Sequence, residues 1–360
     1  MVESGHRVTI KDVAVQSGVS TQTVSRVINN RPDVASDTRE RVEDVIATLG
    51  YRPSAVARTL VARRSNAIGV LLAGMGYTGT VLTLRGIIDE SASLGLTVLI
   101  AELPEGDSLD DPRPAISALV ERHVDGIIMS VPAIGQAVDR IKAVLPVHRE
   151  PVVFVKAGVS DRFSSVLVDN VAAVEEVVDH LVSIDRSRIG HISGPANWHE
   201  AHDRREGWER GLARHHLEAD PALCEEGDWS PQSGAAAMSA LLDRVPDLDA
   251  VVAANDRMAL GAMHALRARG LRIPEDVAVT GFDDIEEAAW FAPSLTSVGQ
   301  PLAEMGRQAV RRLWAEFQGG ATPPVAISLE AELMIRESTI GAAQTGGAAL
   351  SGDGAQSGPE

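Results

Sequence analysis

Cysteine occurs once in the 360 residues, at Cys224. No disulfide can close within the chain, and no thiolate-based metal site can form. Lysine is almost as scarce, at three of the 33 basic residues, so a count of arginines is not in itself a nucleic-acid signal. Aromatic residues make up only 3% of the chain, which makes each of the five tryptophans a position to explain. Positive charge is in deficit, with a net charge of −17, and a body this acidic does not coat nucleic acid or anionic membranes. No run approaches the ~18 apolar residues that a membrane helix needs. The opening "MVESGHRVTIKDVA" lacks the basic-then-apolar pattern of a signal peptide. The expectation is a cytoplasmic, nucleoid-associated protein with no membrane partner. The ten histidines contain no H-E-x-x-H pair, and "GHISG" misses the G-x-S-x-G elbow of a hydrolase by one position. Neither an enzyme nor a resident metal or cofactor is expected.

The charge is unevenly spread. Residues 1–64 hold 10 Lys+Arg and 7 Asp+Glu, a net of +3, which leaves −20 on the remainder. This mildly basic front end divides into three helices. Thr9 precedes "IKDVAVQ" with Asp12 three residues on, the pattern of a capping box. Gly18 turns the chain, Ser20 caps "TQTVSRVINN", and Ser36 caps "DTRERVEDVIATL", which Gly50 ends. Val13, Ala14, Val19, Val24, Val27, Ile28, Val42, Val45, Ile46 and Leu49 recur at helical spacing and supply a compact core. Two short helices across a tight turn make a helix-turn-helix, whose second helix enters the DNA major groove. Thr21, Gln22 and Arg26 then face the bases: Gln pairs with adenine, Arg with guanine, and the Thr methyl packs on thymine. Thr9, Ser20, Thr23, Ser25 and Asn29 are candidates for phosphate contacts. An ordinary helical hairpin with a polar face fits the same spacing.

Beyond Asn66, near-continuous apolar runs alternate with helical stretches: "AIGVLLA", "LTVLIAE", "DGIIMSV", "PVVFVK", "SVLVD", "RIGHISG", "DAVVAAN" and "DVAVTGF". Such runs are expected of buried parallel strands in an α/β body. Ligands in open α/β sheets bind at the carboxyl ends of strands. Asn255, Asp256, Asp283 and Asp284 follow two of these runs, Asp256 and Asp284 reading more simply as helix caps.

The stretch from "VTIKDVAVQSGVSTQTVSRV" to "YRPSAVARTL" resembles, in register, the DNA-binding head and hinge of the lactose-repressor (LacI/GalR) family. "EGDWS", "AANDRMALGAMHALRARGLRIPEDVAVTGFDD" and "LTSVGQP" resemble that family's sugar-binding core, and the likeness runs from about Val8 to Ser338. It implies a small all-α helix-turn-helix head on a two-lobe α/β body like that of periplasmic binding proteins, each lobe a doubly wound parallel sheet. Residues 1–52 would be the head, 53–65 the hinge helix and linker, and 66–340 the effector-binding and dimerisation core. Within the core, one lobe takes about 66–168 and 301–326 and the other about 169–297 and 327–340. Residues 341–360, rich in Gly, Ala and Ser, read as a disordered tail.

The resemblance also assigns roles. Thr21, Gln22 and Arg26 fall at base-reading positions, although a tyrosine stands at the place of Thr21 in one member. Ala57 and Leu60 match the hinge residues that wedge into the minor groove at the centre of a near-palindromic operator. Arg204, Trp229, Asn255, Asp283 and Gln300 match effector-binding positions, with Trp229 packing on the sugar ring. Lys156 and Ser130 depart from the pattern, standing where that member has aspartate and asparagine. Trp198, near the matched arginine, offers a second stacking surface. The implied partners are double-stranded operator DNA, a sugar or glycoside effector, and a second copy of the chain in a homodimer. The implied function is repression of carbohydrate-utilisation genes, relieved by the effector.

One motif competes. "GMGYTG", Gly74 to Gly79, follows a strand-like run with G-x-G-x-x-G spacing, and Glu102 closes the next run, as in a dinucleotide site. It supports the alternative of a repressor that senses NAD(H). In the resembling family this loop instead lines the effector cleft, where the glycines let the backbone pass close to a ligand.

Overall fold

A computed structural model describes residues 8–51, 64–103, 111–135, 137–145, 151–156, 161–319 and 323–341. The hinge positions Ala57 and Leu60 and the tail after Gly341 lie outside the described residues. Two compact units divide in sequence at Asn66/Ala67.

The first unit contains α1 (Ile10–Ser17), α2 (Thr21–Ile28) and α3 (Ser36–Leu49). Gly18, at φ 67°, ends α1 in the left-handed conformation that glycine adopts without a Cβ penalty. The Ser20 hydroxyl accepts the Thr23 N–H at 3.1 Å and starts α2. The core is Val13, Ala14, Val24, Val27 and Val42, with the five other expected positions packed around it. Two details correct the sequence reading. Ser36 is the first residue of α3 and not its cap; Ala35 holds the cap position, and the Ser36 hydroxyl turns to Asp37. Helix α2 stops at Ile28 because the Asn29 amide folds back on the Ser25 carbonyl at 2.7 Å.

The second unit contains two six-stranded sheets. The first takes β1 (Ala67–Ala73), β2 (Thr97–Leu103), β3 (Gly126–Ser130), β4 (Val152–Val155), β5 (Ser164–Val168) and β11 (Ala326–Leu329) in the order β11-β5-β4-β3-β1-β2. All its pairings are parallel, with Val70 of β1 opposite Ile128 on one side and Ile100 on the other. The second takes β6 (Ile189–Ser193), β7 (Cys224–Glu226), β8 (Ala250–Ala253), β9 (Ala278–Asp283), β10 (Thr296–Gly299) and β12 (Glu332–Met334) in the order β12-β10-β9-β8-β6-β7. Only β12 runs antiparallel. Helices α4 (Thr78–Ser93), α5 (Arg113–Val120), α6 (Ala137–Val144) and α11 (Leu302–Gly319) belong to the first lobe. Helices α7 (Asn170–Ser183), α8 (His199–Arg214), α9 (Pro231–Arg244), α10 (Asp256–Ala268) and α12 (Glu337–Ile340) belong to the second.

Covering both faces of a parallel sheet buries every position of its inner strands, and β1, β3 and β8 are buried throughout and apolar except for Ser130 at the end of β3. The chain passes between lobes after Val168, Gly299 and Leu329. The last passage corrects the expected boundary at 326/327: Ala326 to Leu329 pair with Ser165 to Val168, completing the edge of the first sheet before the chain leaves it. In the same way β10 keeps the chain in the second lobe to Gly299, two residues past 297. Helices α4 and α11 cross with their backbones in contact. A Cβ on Gly86 would lie 1.8 Å from the Ala303 carbonyl oxygen, and one on Gly306 would lie 2.2 Å from that of Thr83.

Candidate functional site

The carboxyl ends of the parallel strands meet across a cleft between the lobes, which encloses about 680 Å³ of open space including its mouth. Ser130 ends β3, Lys156 follows β4, Asn255 follows β8, Asp283 ends β9 and Gln300 follows β10. Trp198 enters from the N-cap position of α8, Arg204 from α8 itself, and Trp229 from the loop before α9. All eight effector-binding candidates line this one cleft.

Arg204 anchors the second-lobe wall. It is 5% exposed, and its Nε donates to Asn170 Oδ1 at 2.9 Å while Nη1 donates to the Ala254 carbonyl. Its guanidinium lies over the Phe282 ring, 3.7 Å from the centroid, and Nη2 is 4.0 Å from Asp283 Oδ1. Three restraints on one planar cation hold its remaining donors in a fixed direction. Asp283 takes φ 109°, a strained value for a residue with a Cβ, and accepts from Gln300 Nε2 at 2.6 Å. Burial raises its pKa, with Arg204 and then Lys156 pulling it back. Burial lowers the pKa of Lys156, against the attraction of Glu200 and then Asp283.

Asn255 is doubly committed. Its Oδ1 accepts the Met258 N–H at 2.8 Å, capping α10, and its Nδ2 donates to the Trp229 carbonyl at 3.2 Å. It holds the tryptophan loop as well as facing the cleft. The cap expected of Asp256 is therefore supplied by its neighbour. Asp256 is fully buried and accepts the Ser297 hydroxyl at 2.5 Å and the Ile285 N–H at 2.8 Å. Burial and the nearby Asp283 push its pKa up to about 8. Asp284 is not a cap either; it pairs with Arg336 at 2.6 Å.

Trp229 sits at φ 72° with its indole ring against Gly194, where a Cβ would come within 2.1 Å. Its Nε1 is buried without a hydrogen-bond partner. Trp198 stands edge-on to it at 5.5 Å, and Tyr77 of the first lobe stands edge-on to Trp198 at 5.1 Å. Beside this aromatic row the lobes share backbone hydrogen bonds: Gly135 N–H to the Asn197 carbonyl and His199 N–H to the Ala133 carbonyl. The "GMGYTG" loop forms the lip of the cleft through Tyr77, Thr78 and Gly79. Tyr77 folds back over Gly74, and Gly79 makes room for the Lys156 ammonium. The chain's own side chains thus occupy the space next to these glycines.

Tyr77, Glu200 and Arg257 also line the cleft and were not singled out from sequence. Glu200 had a signal, standing four residues before Arg204 and so on the same face of α8. On that helix His202, Asp203 and Glu206 bring ligand atoms within 4.8 Å of one another, but Glu206 is already paired with Arg210.

In the head, Thr21 and Gln22 are exposed on the first turn of α2, with Arg26 one turn later and 3.6 Å from Asp33. Several of the groups considered for phosphate contacts are engaged locally. The Thr9 hydroxyl donates to Asp12, Ser20 and Thr23 bond to each other, and Asn29 bonds to Ser25. Among the described residues no helix is long and apolar enough to cross a membrane.

Residues 9–54 match the lacI family of bacterial regulatory proteins, and residues 178–339 match the periplasmic binding protein-like domain. The chain is 36% identical over 360 residues to the HTH-type transcriptional regulator CelR of Thermobifida fusca, covering 94% of this chain and 100% of that protein. It is 32% identical over 314 residues to the lactose operon repressor of Escherichia coli (strain K12), covering 87% and 86%. Among solved structures, the lac repressor dimer bound to operator and the anti-inducer ONPF superposes with a TM-score of 0.84 at 32% identity, covering 93% of this chain and 99% of that one. The CelR–cellobiose complex superposes with a TM-score of 0.68 at 33% identity, covering 92% and 100%. These relatives are regulators and repressors of transcription, not enzymes.

Proposed function

The chain belongs to the lacI family of bacterial regulatory proteins, and from that premise we propose that it represses carbohydrate-utilisation genes by binding a near-palindromic operator as a dimer and releasing it when a sugar or glycoside fills the cleft. The convergence of Arg204, Asp283 and Trp229 from one lobe with Ser130 and Lys156 from the other carries this reading. Carboxylate, guanidinium and amide groups arranged beside an indole face match a polyol ring, whose hydroxyls donate and accept while its C–H face packs on the aromatic. The relative CelR has been solved with cellobiose, which makes β-glucosides the first class to test. Thr21, Gln22 and Arg26 read the bases, and Leu60 and Ala57 form the hinge contact. The dimer draws support from the solved dimeric relative and from Val81, Leu82 and Ile88, apolar residues left exposed on α4.

Release works by differential affinity. A ligand touching both lobes favours one lobe arrangement, and coupling of ~1–3 kcal/mol changes operator affinity about 5–150-fold. The experiment measures binding of the full chain to its own promoter DNA by fluorescence anisotropy, with cellobiose, lactose and other glycosides titrated in. One sugar class lowers operator affinity, and Arg204→Ala keeps DNA binding but abolishes the response. No response to any sugar, or a normal response in Arg204→Ala, refutes the proposal.

A further inference from the structure

Helix α8 carries His199, His202, Asp203 and Glu206 at positions i, i+3, i+4 and i+7, a spacing that puts all four on one face over two turns. His202, Asp203 and Glu206 each bring one ligand atom, a ring nitrogen or a carboxylate oxygen, within 4.8 Å of the other two. His202 is exposed, and Asp203 and Glu206 are half-buried. His202 Nδ1 lies 3.8 Å from Asp203 Oδ1, beyond hydrogen-bonding distance. The arginines among them are engaged elsewhere, Arg204 by Asn170 and Ala254 and Arg205 by Glu209. Arg210 bonds Glu206 through Oε1, which leaves Oε2 to a further partner. Asp203 also lines a cavity at the lobe boundary, with His199 beside it, so there is room for water at this face. Burial raises the pKa of Asp203, and His202 and then His199 pull it back. A cation bound here relieves the same desolvation penalty.

We propose that His202, Asp203 and Glu206 form a binding site for a divalent transition-metal ion of the zinc type, with water completing its shell. The ligand set selects the metal. One imidazole and two carboxylates suit zinc, nickel or copper, whereas magnesium and calcium take oxygen ligands. Bonds of ~2.0–2.2 Å place the ligand atoms of a tetrahedral site ~3.4 Å apart. Rotation about the side-chain bonds of His202, Asp203 and Glu206 closes the difference from 4.8 Å. All three ligands come from one helix, so neither lobe movement nor a second chain is needed to complete the site. Three protein ligands and an open position make it an exchangeable site rather than a closed structural one. The bond from Arg210 then orients the Glu206 carboxylate from the outer shell. None of the three ligands lines the effector cleft, so the site stands apart from the sugar reading. The ion spans the two turns of α8 that carry Arg204, the anchor of the cleft wall.

The test is isothermal titration calorimetry of the full chain, free of any affinity tag and stripped with EDTA, with zinc chloride and, separately, magnesium chloride. The wild type binds zinc, and binding weakens about tenfold or more in His202→Gln, in Asp203→Asn and in Glu206→Gln. The control variant His264→Gln, on α10, binds zinc as the wild type does. Melting curves without metal confirm that each variant is folded, and added zinc raises the melting temperature of the wild type more than that of the three ligand variants. Absence of zinc binding by the wild type overturns the proposal. So does unchanged zinc affinity in any of the three ligand variants, which would place the ion elsewhere. Magnesium that binds as tightly as zinc overturns the assignment of an imidazole ligand and with it the site.

Discussion

Replacing Asp256 with asparagine isolates one buried proton. The carboxyl group is inaccessible to solvent, accepts from Ser297 and Ile285, and has its pKa pushed from 3.8 to about 8 by burial first and by the charge of Asp283 second. A pKa raised on folding means that the native state holds a proton the unfolded chain has released. Stability from this group is therefore complete below pH 3.8 and is lost as pH rises through about 8. The slope approaches 1.4 kcal/mol per pH unit while the two states differ by one proton. His191 works the other way. Burial lowers its pKa from 6.5 to about 4, so its contribution is present above pH 6.5 and lost as pH falls toward 4. The two slopes offset each other between about pH 4 and 6.5, and above that the Asp256 slope stands alone. Asparagine resembles the protonated acid in shape and cannot titrate. Between pH 5 and pH 8 the wild type should lose about 3–4 kcal/mol relative to Asp256→Asn. The assay is urea unfolding of both proteins at matched pH values, followed by tryptophan fluorescence. A stability difference that stays constant across this range would show that Asp256 is ionised in the folded protein and would refute the reasoning.

Gly86→Ala places a methyl group 1.8 Å from the Ala303 carbonyl oxygen, which forces α4 and α11 apart. It should cost about 1–3 kcal/mol or more, read as a lowered urea midpoint, whereas Gly95→Ala tests the different cost of a left-handed residue with open space around it. Gln22→Ala in the head should weaken binding to the cognate operator by about 1–3 kcal/mol while leaving non-specific DNA affinity unchanged. An equal loss on both DNAs, in a competition assay at fixed salt, would move Gln22 from base reading to phosphate contact.

How much was legible before the structure differs between the two units. The head's core positions, its left-handed Gly18 and Gly50 and its Ser20 cap all depend on residues within a turn or two of each other, and local spacing records such relations. Ser36 was misplaced by one residue because Ala35 and Ser36 differ only in which of them takes the first helical turn. In the body, long buried strands such as β1 announced themselves as apolar runs. The short strands β7, β10, β11 and β12 did not. With three or four residues each, they become strands through the neighbour they pair with, not through any pattern of their own.

The cleft separates two kinds of information. From residue types, spacing and family likeness, the chain already announced a DNA-reading helix, an α/β body and a set of polar residues at strand ends. Those features follow from backbone periodicity and from side-chain chemistry carried at each position. It did not announce that Asn255 caps α10 and holds the Trp229 loop, or that Asp256 turns inward to Ser297, 41 residues away. Nor did it show that Lys156 of one lobe and Glu200 of the other line the same cleft. Such relations join residues brought together by sheet order and lobe closure. Burial and pairing, which set the charge states of these groups, exist only once the distant strands have met.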